Sequence, residues 1–84
     1  MNITLKLFAT LVAHLPAADR SSRQTRVVAP GGTSVLGLIQ QAGLPLEHCT
    51  LVLRNGTFVH REALGAEPLE EGDVVAIWPP VGGG

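Results

Sequence analysis

Three segments of the chain have the distribution of apolar and polar residues that is typical of strands. Residues 2–8 alternate between apolar and polar side chains, and this period of two predicts a strand with one buried face. Residues 23–29 predict a second strand, which becomes apolar towards its end. The segment 73–78 contains four consecutive apolar residues, which is typical of a central strand that is buried on both faces.

The clearest helix follows a Pro-Gly-Gly turn. Its apolar residues recur at i, i+3, i+4 and i+7, which places them on one stripe of a helix. This stripe consists of Val35, Leu38, Ile39 and Ala42. Thr33 is the predicted N-cap, because its hydroxyl can accept a hydrogen bond from a free N–H of the first turn. Gly43 is predicted to end the helix in a left-handed conformation, and Pro45 prevents its continuation.

Two shorter segments carry local signals. Residues 11–15 have apolar side chains at helical spacing and stop at Pro16, which predicts a single helical turn. Asn55-Gly56 is the pair that a type I′ hairpin favours, because both central residues of this turn have positive φ. The resulting order of strand, strand, helix and strands predicts an α+β domain in which one sheet packs on one main helix.

Composition limits the classes of protein to which the chain can belong. Its 84 residues are enough for one domain, and 45% apolar residues are typical of a folded one. The net charge of −1 and the scattered arginines argue against nucleic acid binding. Cys49 is the only cysteine, so no intrachain disulfide can form. The sequence has neither a secretion signal nor an apolar segment of about 20 residues, which predicts a cytoplasmic protein without a membrane span.

The body of the chain carries no predicted active site or cofactor site. The stretch "APGGTS" lacks the spacing and the lysine of a phosphate-binding loop, so the chain itself is predicted not to bind ATP. His14, His48, His60 and Cys49 lack the spacing of a metal-binding set. Nucleophilic catalysis by Cys49 would need an orienting residue beyond the adjacent His48, so a packed thiol is the better interpretation.

The C-terminal stretch has an unusual composition. Pro79 and Pro80 cannot donate hydrogen bonds to a β-ladder, so they end the last strand and begin an extended segment. The last three residues are glycines. One interpretation is a flexible end without a function. The alternative is a substrate, in which this narrow stem carries the Gly84 carboxylate into the closed site of another protein, because glycine has no Cβ to obstruct its passage.

Several stretches together resemble the MoaD/ThiS sulfur-carrier family. They are "KLFA" near the start, "GGTSVLGLI" around the start of the helix, "LEEGDVVAIWPPV", and the terminal Gly-Gly. The resemblance covers essentially the whole chain. It implies a ubiquitin-like β-grasp fold over residues 1–78, a mixed sheet packed on one main helix, followed by a flexible functional tail over residues 79–84.

The resemblance also implies that the chain is a sulfur carrier and not an enzyme by itself. An E1-like adenylating partner would use ATP to activate the carboxylate of Gly84, and a sulfur donor protein would supply the sulfur of a thiocarboxylate. The partner-binding residues that it implies are Phe8, Trp78, Pro79, Pro80, Val81, Gly82 and Gly83. The Pro-Pro-Val stretch and the chain length resemble the molybdopterin branch, in which the tail enters the large subunit of molybdopterin synthase.

The sequence departs from the family pattern at two positions, and it leaves alternatives open. Trp78 stands where the family more often has phenylalanine, and Gly82 makes three glycines where two are typical. The sulfur could instead serve thiamine, tungsten-cofactor or other thio-transfer pathways. The same activation would serve a ubiquitin-like modifier that joins Gly84 to lysines of other proteins. The last alternative is a passive interaction domain that docks through Phe8 and Trp78.

Overall fold

The computed structural model describes residues 1–80, which contain five strands and one α-helix. The strands are β1 Asn2–Leu7, β2 Gln24–Val28, β3 Leu51–Arg54, β4 Thr57–Phe58 and β5 Val74–Trp78, and the helix is α1 Val35–Gln41. Short 3₁₀ helices cover Ala9–His14, Ala17–Asp19, Leu46–His48 and Arg61–Ala63. The three predicted strands and the main helix are confirmed to within one residue at each end.

The five strands form one mixed sheet in the order β2-β1-β5-β3-β4. β1 and β5 are parallel, with Leu5 opposite Val75, and the other neighbouring strands are antiparallel. β5 therefore has a strand on each side, which confirms its predicted central position. This sheet, packed against one main helix, confirms the α+β prediction and has the β-grasp arrangement.

One apolar cluster fills the space between the sheet and α1. The sheet contributes Ile3, Leu5, Leu7, Val52, Val75 and Ile77, and the helix contributes Val35, Leu38 and Ile39. Each fully buried aliphatic side chain of this kind contributes about 1.5 to 3 kcal/mol through removal from water. The sheet face that carries these residues is the inner face, and the opposite face is the outer face.

The expectation that β5 is buried on both faces is wrong. On the inner face Val75 and Ile77 are fully buried. On the outer face Val74, Ala76 and Trp78 are only half-buried, because α1 packs on the inner face alone. A continuous apolar run thus predicted the central position of β5 correctly but not the exposure of its outer face.

The N-cap of α1 is Ser34 and not the predicted Thr33. Ser34 has the extended backbone of an N-cap, and its Oγ accepts a hydrogen bond from the Gly37 N–H at 3.1 Å. The Thr33 hydroxyl lies one residue too early and donates instead to the Pro30 carbonyl at 2.8 Å. At the other end of α1, Gly43 has a φ of +71°, which confirms the predicted left-handed residue.

The hairpin between β3 and β4 has the predicted turn. Asn55 has a φ of +51° and Gly56 a φ of +82°. Positive φ at both central residues confirms the type I′ prediction. Because this turn contains only two residues, it fixes the register in which Leu53 pairs with Phe58.

The segment after β1 is helical, as predicted, but it forms two short 3₁₀ helices and not one turn. The first covers Ala9–His14, and the second, Ala17–Asp19, begins after Pro16. Leu11 and Leu15 are buried in the core cluster. Proline has no N–H to continue the first helix, so the chain starts a second one behind it.

The described part of the chain ends two residues after the sheet. β5 ends at Trp78, and Pro79 and Pro80 are the last residues described. Most of the predicted functional tail 79–84 therefore lies outside the described residues, and the division at residue 78 stays a prediction. Within residues 1–80, none of the helices combines the length and the apolar character that crossing a bilayer requires.

Candidate functional site

The C-terminal stretch leaves the domain from the middle of the sheet. At the end of β5, the Phe8 N–H donates to the Ile77 carbonyl at 3.3 Å, and the Thr50 N–H donates to the Trp78 carbonyl at 3.0 Å. Strand β5 is thus held from both sides up to its last residue. Pro79 and Pro80, which follow, have no N–H for a ladder. The hydrogen-bonded sheet therefore ends where the tail was predicted to begin.

An aromatic pair lies beside this exit. The ring of Phe8 stacks on the indole of Trp78, with ring centroids 4.2 Å apart and planes 2° from parallel. Phe8 immediately follows β1, and the next residue, Ala9, has a φ of +53° and turns the chain away from the sheet. Both aromatic side chains are half-buried. The structure thus brings together two of the predicted partner-binding residues, although 70 positions separate them in the sequence.

The aromatic pair continues into a wider apolar surface on the outer face. Leu51 lies opposite Trp78, and Leu53 lies opposite both Ala76 and Phe58. The side chains of Phe58 and Leu51 are 46% and 38% exposed. The surface, called the apolar patch below, consists of Phe8, Leu51, Leu53, Phe58, Ala76 and Trp78. A contiguous set of half-buried and exposed aromatic and aliphatic side chains is typical of a protein docking site.

A buried carboxylate anchors the opposite end of β5. Asp73 directly precedes the strand and is 6% exposed. Its Oδ2 accepts hydrogen bonds from Arg54 Nη2 at 2.7 Å, Arg54 Nε at 2.9 Å and the Glu70 N–H at 2.8 Å. Its Oδ1 accepts a hydrogen bond from Asn55 Nδ2 at 2.9 Å. Sequence reasoning missed this cluster, because its members come from the hairpin and from the turn before β5.

The hydrogen bonds around Asp73 keep it ionised. Burial alone raises the pKa of the Asp73 carboxyl. The hydrogen bonds from Asn55, the Glu70 N–H and Arg54, together with the positive charge of Arg54, lower this pKa by more than burial raises it. The net pKa therefore lies below its ordinary value. Since all of these donors belong to the protein itself, the cluster has the character of a structural anchor and not of a substrate site.

Cys49 is a packed thiol, as interpreted from the sequence. It is buried, and its Sγ lies 3.5 Å from the Pro45 carbonyl oxygen. Burial raises the pKa of the Cys49 thiol, and Arg61 offsets this effect only in part. His14, His48 and His60 are exposed. In the part of the chain that the structure describes, no three histidine, cysteine or acidic side chains form a group that could hold a metal ion.

The predicted site residues thus fall into two groups. The structure describes Phe8, Trp78, Pro79 and Pro80, whereas Val81, Gly82, Gly83 and Gly84 lie outside the described residues. The predictions did not include Leu51, Leu53 and Phe58 among the docking residues. The sequence contains a signal for two of these residues, namely the two-residue Asn-Gly turn. This turn fixes the pairing of Leu53 with Phe58 and places their side chains on one face of the sheet.

Comparisons with known proteins agree with this fold. A model of the ThiS family matches residues 6–84. A search of curated proteins found no match. The crystal structure of SAMP1 from Haloferax volcanii is 28% identical in sequence, and the superposition covers 100% of both chains with a TM-score of 0.69.

Two further solved structures are similar. The small archaeal modifier protein 1 of H. volcanii is 29% identical, with coverage of 95% of this chain and 98% of that chain and a TM-score of 0.67. A complex of subunits 1 and 2 of the molybdopterin-converting factor from Helicobacter pylori 26695 contains a chain that is 19% identical, with full coverage of both chains and a TM-score of 0.59. At this identity the H. pylori structure supports the fold alone. Together these similarities confirm the ubiquitin-like β-grasp fold.

Proposed function

The chain belongs to the ThiS family, and from this membership we propose that it is a sulfur carrier for molybdopterin biosynthesis. Proteins of this family are small carriers and not enzymes by themselves. The observation that carries the proposal is that the family match extends through Gly84 and so includes the terminal glycines. The proposed reactive group is the carboxylate of Gly84, which would act as a co-substrate of partner enzymes.

The proposed chemistry solves a leaving-group problem. A carboxylate is a poor electrophile, because neither oxygen leaves readily. An E1-like partner that binds ATP would join the Gly84 carboxylate to AMP and release pyrophosphate. The outer sulfur of a persulfide on the donor protein would then displace AMP and form an acyl disulfide. A thiol would cleave the S–S bond of this intermediate, which leaves one sulfur on the carbonyl carbon and a disulfide on the donor. The resulting thiocarboxylate is a soft nucleophile that can deliver sulfur to an acceptor.

The apolar patch is the proposed docking surface for these partners. It lies on the outer face, includes the stacked pair Phe8 and Trp78, and borders the point where β5 ends. A partner that covers this patch would hold the domain while the following residues reach its active site. Aromatic side chains such as Trp78 are common sources of binding energy in protein interfaces.

The molybdopterin branch is supported by the stretch before the glycines. Pro79, Pro80 and Val81 precede them, as is typical of the small subunit of molybdopterin synthase. The large subunit of that synthase is the proposed second partner. There two thiocarboxylated copies of the chain would each give one sulfur atom to a pterin precursor, which forms the dithiolene that binds molybdenum, and each copy would return to the carboxylate.

Intact-mass spectrometry tests the carrier function. The purified chain is incubated with ATP, an E1-like adenylating enzyme and a sulfur donor, and its mass should rise by the difference between one sulfur and one oxygen atom. A variant that lacks Gly82, Gly83 and Gly84 is the matched control and should keep its mass. If an authentic sulfur carrier is converted under the same conditions and this chain is not, with several adenylating enzymes, the proposal is wrong.

A second experiment tests the branch. The thiocarboxylated chain is mixed with the large subunit of molybdopterin synthase and the pterin precursor, and in parallel with a thiazole synthase and its substrates. Formation of the dithiolene in the first reaction alone supports the molybdopterin branch. Thiazole formation alone would assign the sulfur to thiamine.

A ubiquitin-like modifier is the second candidate function. It is favoured by the similarity to SAMP1 from H. volcanii, at 28% identity over the full length of both chains. In cells that produce a tagged chain, a modifier would yield conjugates of higher mass that disappear when Gly83 and Gly84 are deleted. Lys6 is the only lysine, so a Lys6→Arg variant would separate self-linked products from conjugates with other proteins. The absence of conjugates would leave the carrier function as the better explanation.

A further inference from the structure

Lys6 lies on the outer face, between the polar Gln24 of β2 and the apolar Ala76 of β5. In register it is opposite Ala76, which in turn is opposite Leu53, so that these three residues form one row across the sheet. Phe8 follows Lys6 by two positions and therefore lies on the same face. The side chain of Lys6 is half-buried. The only lysine of the chain thus borders the apolar patch in the middle of the sheet.

Lys6 forms no ion pair with the acidic groups of residues 1–80, where the ion pairs are those of Arg54 with Asp73 and Glu67. A second cation, Arg26, lies opposite Thr4 and therefore also on the outer face. Beside the hydrogen bond from the Asn2 N–H, the charge of Arg26 acts on the Glu71 carboxylate and lowers its pKa. The outer face thus combines an apolar surface with one cation, Lys6, that forms no ion pair within residues 1–80. A partner that covers this face removes water from the Lys6 ammonium, which is costly unless the partner supplies an acceptor.

We propose that the partner surface that docks on the apolar patch carries a carboxylate opposite Lys6. The inference rests on the proposed function and names the chemistry of the docking site on the E1-like partner. Lys6 then determines orientation and specificity, because an apolar surface alone does not fix how two proteins are aligned. A partner with a cation or a neutral apolar residue at this position is discriminated against.

The occupant of this surface is a protein and not a membrane or a nucleic acid. Recognition of anionic lipids takes clusters of about four to eight basic residues, and nucleic acid binding needs a basic stripe of comparable extent. The outer face presents Lys6 and Arg26 beside six apolar patch residues, and the net charge of the chain is −1. A mainly apolar surface with a small number of charged side chains is typical of a protein interface.

Binding and turnover measurements with the E1-like adenylating enzyme test the inference. The dissociation constant and the rates of thiocarboxylate formation are measured for the wild type and for the Lys6→Glu, Lys6→Met and Lys6→Arg variants over a range of salt concentrations. Arg23→Glu is the matched control, because it changes the net charge equally, whereas Arg23 is exposed, precedes β2 and lies outside the apolar patch. Circular dichroism and thermal unfolding confirm that every variant is folded.

The expected result is a dissociation constant that is about tenfold higher for Lys6→Glu and within about twofold of the wild type for Lys6→Arg. The effect should appear in KM and not in kcat, and it should shrink as the salt concentration rises. Replacing the contacting carboxylate of the enzyme by lysine should restore the binding of Lys6→Glu.

Three results would overturn the inference. Equal binding of Lys6→Glu and the wild type, with thiocarboxylate still formed, would remove the role of Lys6 but leave the carrier function intact. Failure of the wild type to bind or to be converted would remove both. Lys6-dependent binding of the wild type to phosphatidylserine vesicles, with no charge dependence towards the enzyme, would assign the surface to a membrane.

Discussion

Arg54 donates two hydrogen bonds to one carboxylate oxygen of Asp73, from Nη2 at 2.7 Å and from Nε at 2.9 Å. The pair joins the end of β3 to the residue that precedes β5, across 19 positions of sequence. Asn55 strengthens this junction, because its N–H donates to the Val74 carbonyl and its Oδ1 accepts a hydrogen bond from the Val74 N–H, both at 2.8 Å. The hairpin and the start of β5 are therefore fixed to each other.

Asp73→Asn is expected to destabilise the domain by about 3 kcal/mol, because it leaves the partly buried guanidinium of Arg54 without its counter-charge. Urea unfolding at neutral pH measures the difference. Glu67→Gln is the matched control, since Glu67 contacts the same arginine at 3.8 Å but is 83% exposed. Its effect should be within about 0.5 kcal/mol. Equal effects of the two variants would contradict the anchor role of Asp73.

The same carboxylate predicts how stability depends on pH. The unfolded pKa of Asp73 is near 3.8, and its folded pKa is lower because the hydrogen bonds outweigh burial. The stabilisation is therefore complete above the unfolded pKa and is lost as pH falls through the folded pKa. Wild-type stability should decrease as the pH falls below about 5, and Asp73→Asn should lose distinctly less in this acidic range.

Glu71 provides the comparison for this acid dependence. Its pKa is lowered chiefly by the hydrogen bond from the Asn2 N–H, so it titrates in the same direction, but the side chain is fully exposed. Glu71→Gln should therefore alter the pH profile less than Asp73→Asn does. If the free energy of unfolding depends on pH in the same way in both variants, Asp73 does not dominate the acid transition.

The two hydroxyl residues before α1 should differ in their contribution to stability. Ser34→Ala removes the acceptor for the Gly37 N–H and should cost about 1 kcal/mol. Thr33→Ala removes only a hydrogen bond to the Pro30 carbonyl on the exposed turn and should cost about half as much. Thermal unfolding of both variants, with helicity followed by circular dichroism, measures the order. A larger loss for Thr33→Ala would restore the prediction made from the sequence.

Local features of this fold could be predicted, because each depends on neighbouring residues. The positive φ of Asn55, Gly56 and Gly43 follows from the few residue types that tolerate it. The N-cap was missed by one position, since Thr33 and Ser34 are both good caps and the phase of the helix decides between them. A pattern with a period of 3.6 does not resolve that phase to a single residue.

Features that depend on distant pairs could not be predicted from the residues alone. The strand order follows from the parallel pairing of β1 with β5, which no local signal encodes. The family resemblance supplied Phe8 and Trp78 but not their stacking, and the Asp73 cluster joins two separate turns. The exposure of the outer face of β5 depends on where α1 packs, and the apolar run of residues 74–77 does not contain this information.

Trp78→Ala should weaken binding to the adenylating enzyme by at least about tenfold, because it removes the largest side chain of the apolar patch. Loss of the stack with Phe8 should also cost about 1 kcal/mol of stability. Val28→Ala is the matched control, because Val28 lies on the same face, opposite Asn2, and is 69% exposed but lies outside the patch. If both variants bind as the wild type does, the patch is not the docking surface.

Gly83→Val is expected to slow thiocarboxylate formation by at least about tenfold while the domain remains folded. A β-branched side chain widens the stem that has to enter the partner's active site and restricts its backbone. Within residues 1–80, the core cluster extends from Ile3 to Ile77. We expect the melting temperature of Gly83→Val to be that of the wild type. Gly31→Val is the control, because it makes the same substitution at a position before α1 where an added Cβ meets open space, and it should react at nearly the wild-type rate. Single-turnover mass spectrometry with saturating enzyme measures both rates.

Equal rates for Gly83→Val and the wild type would show that the width of the stem is immaterial, and a lower melting temperature would place Gly83 in the fold.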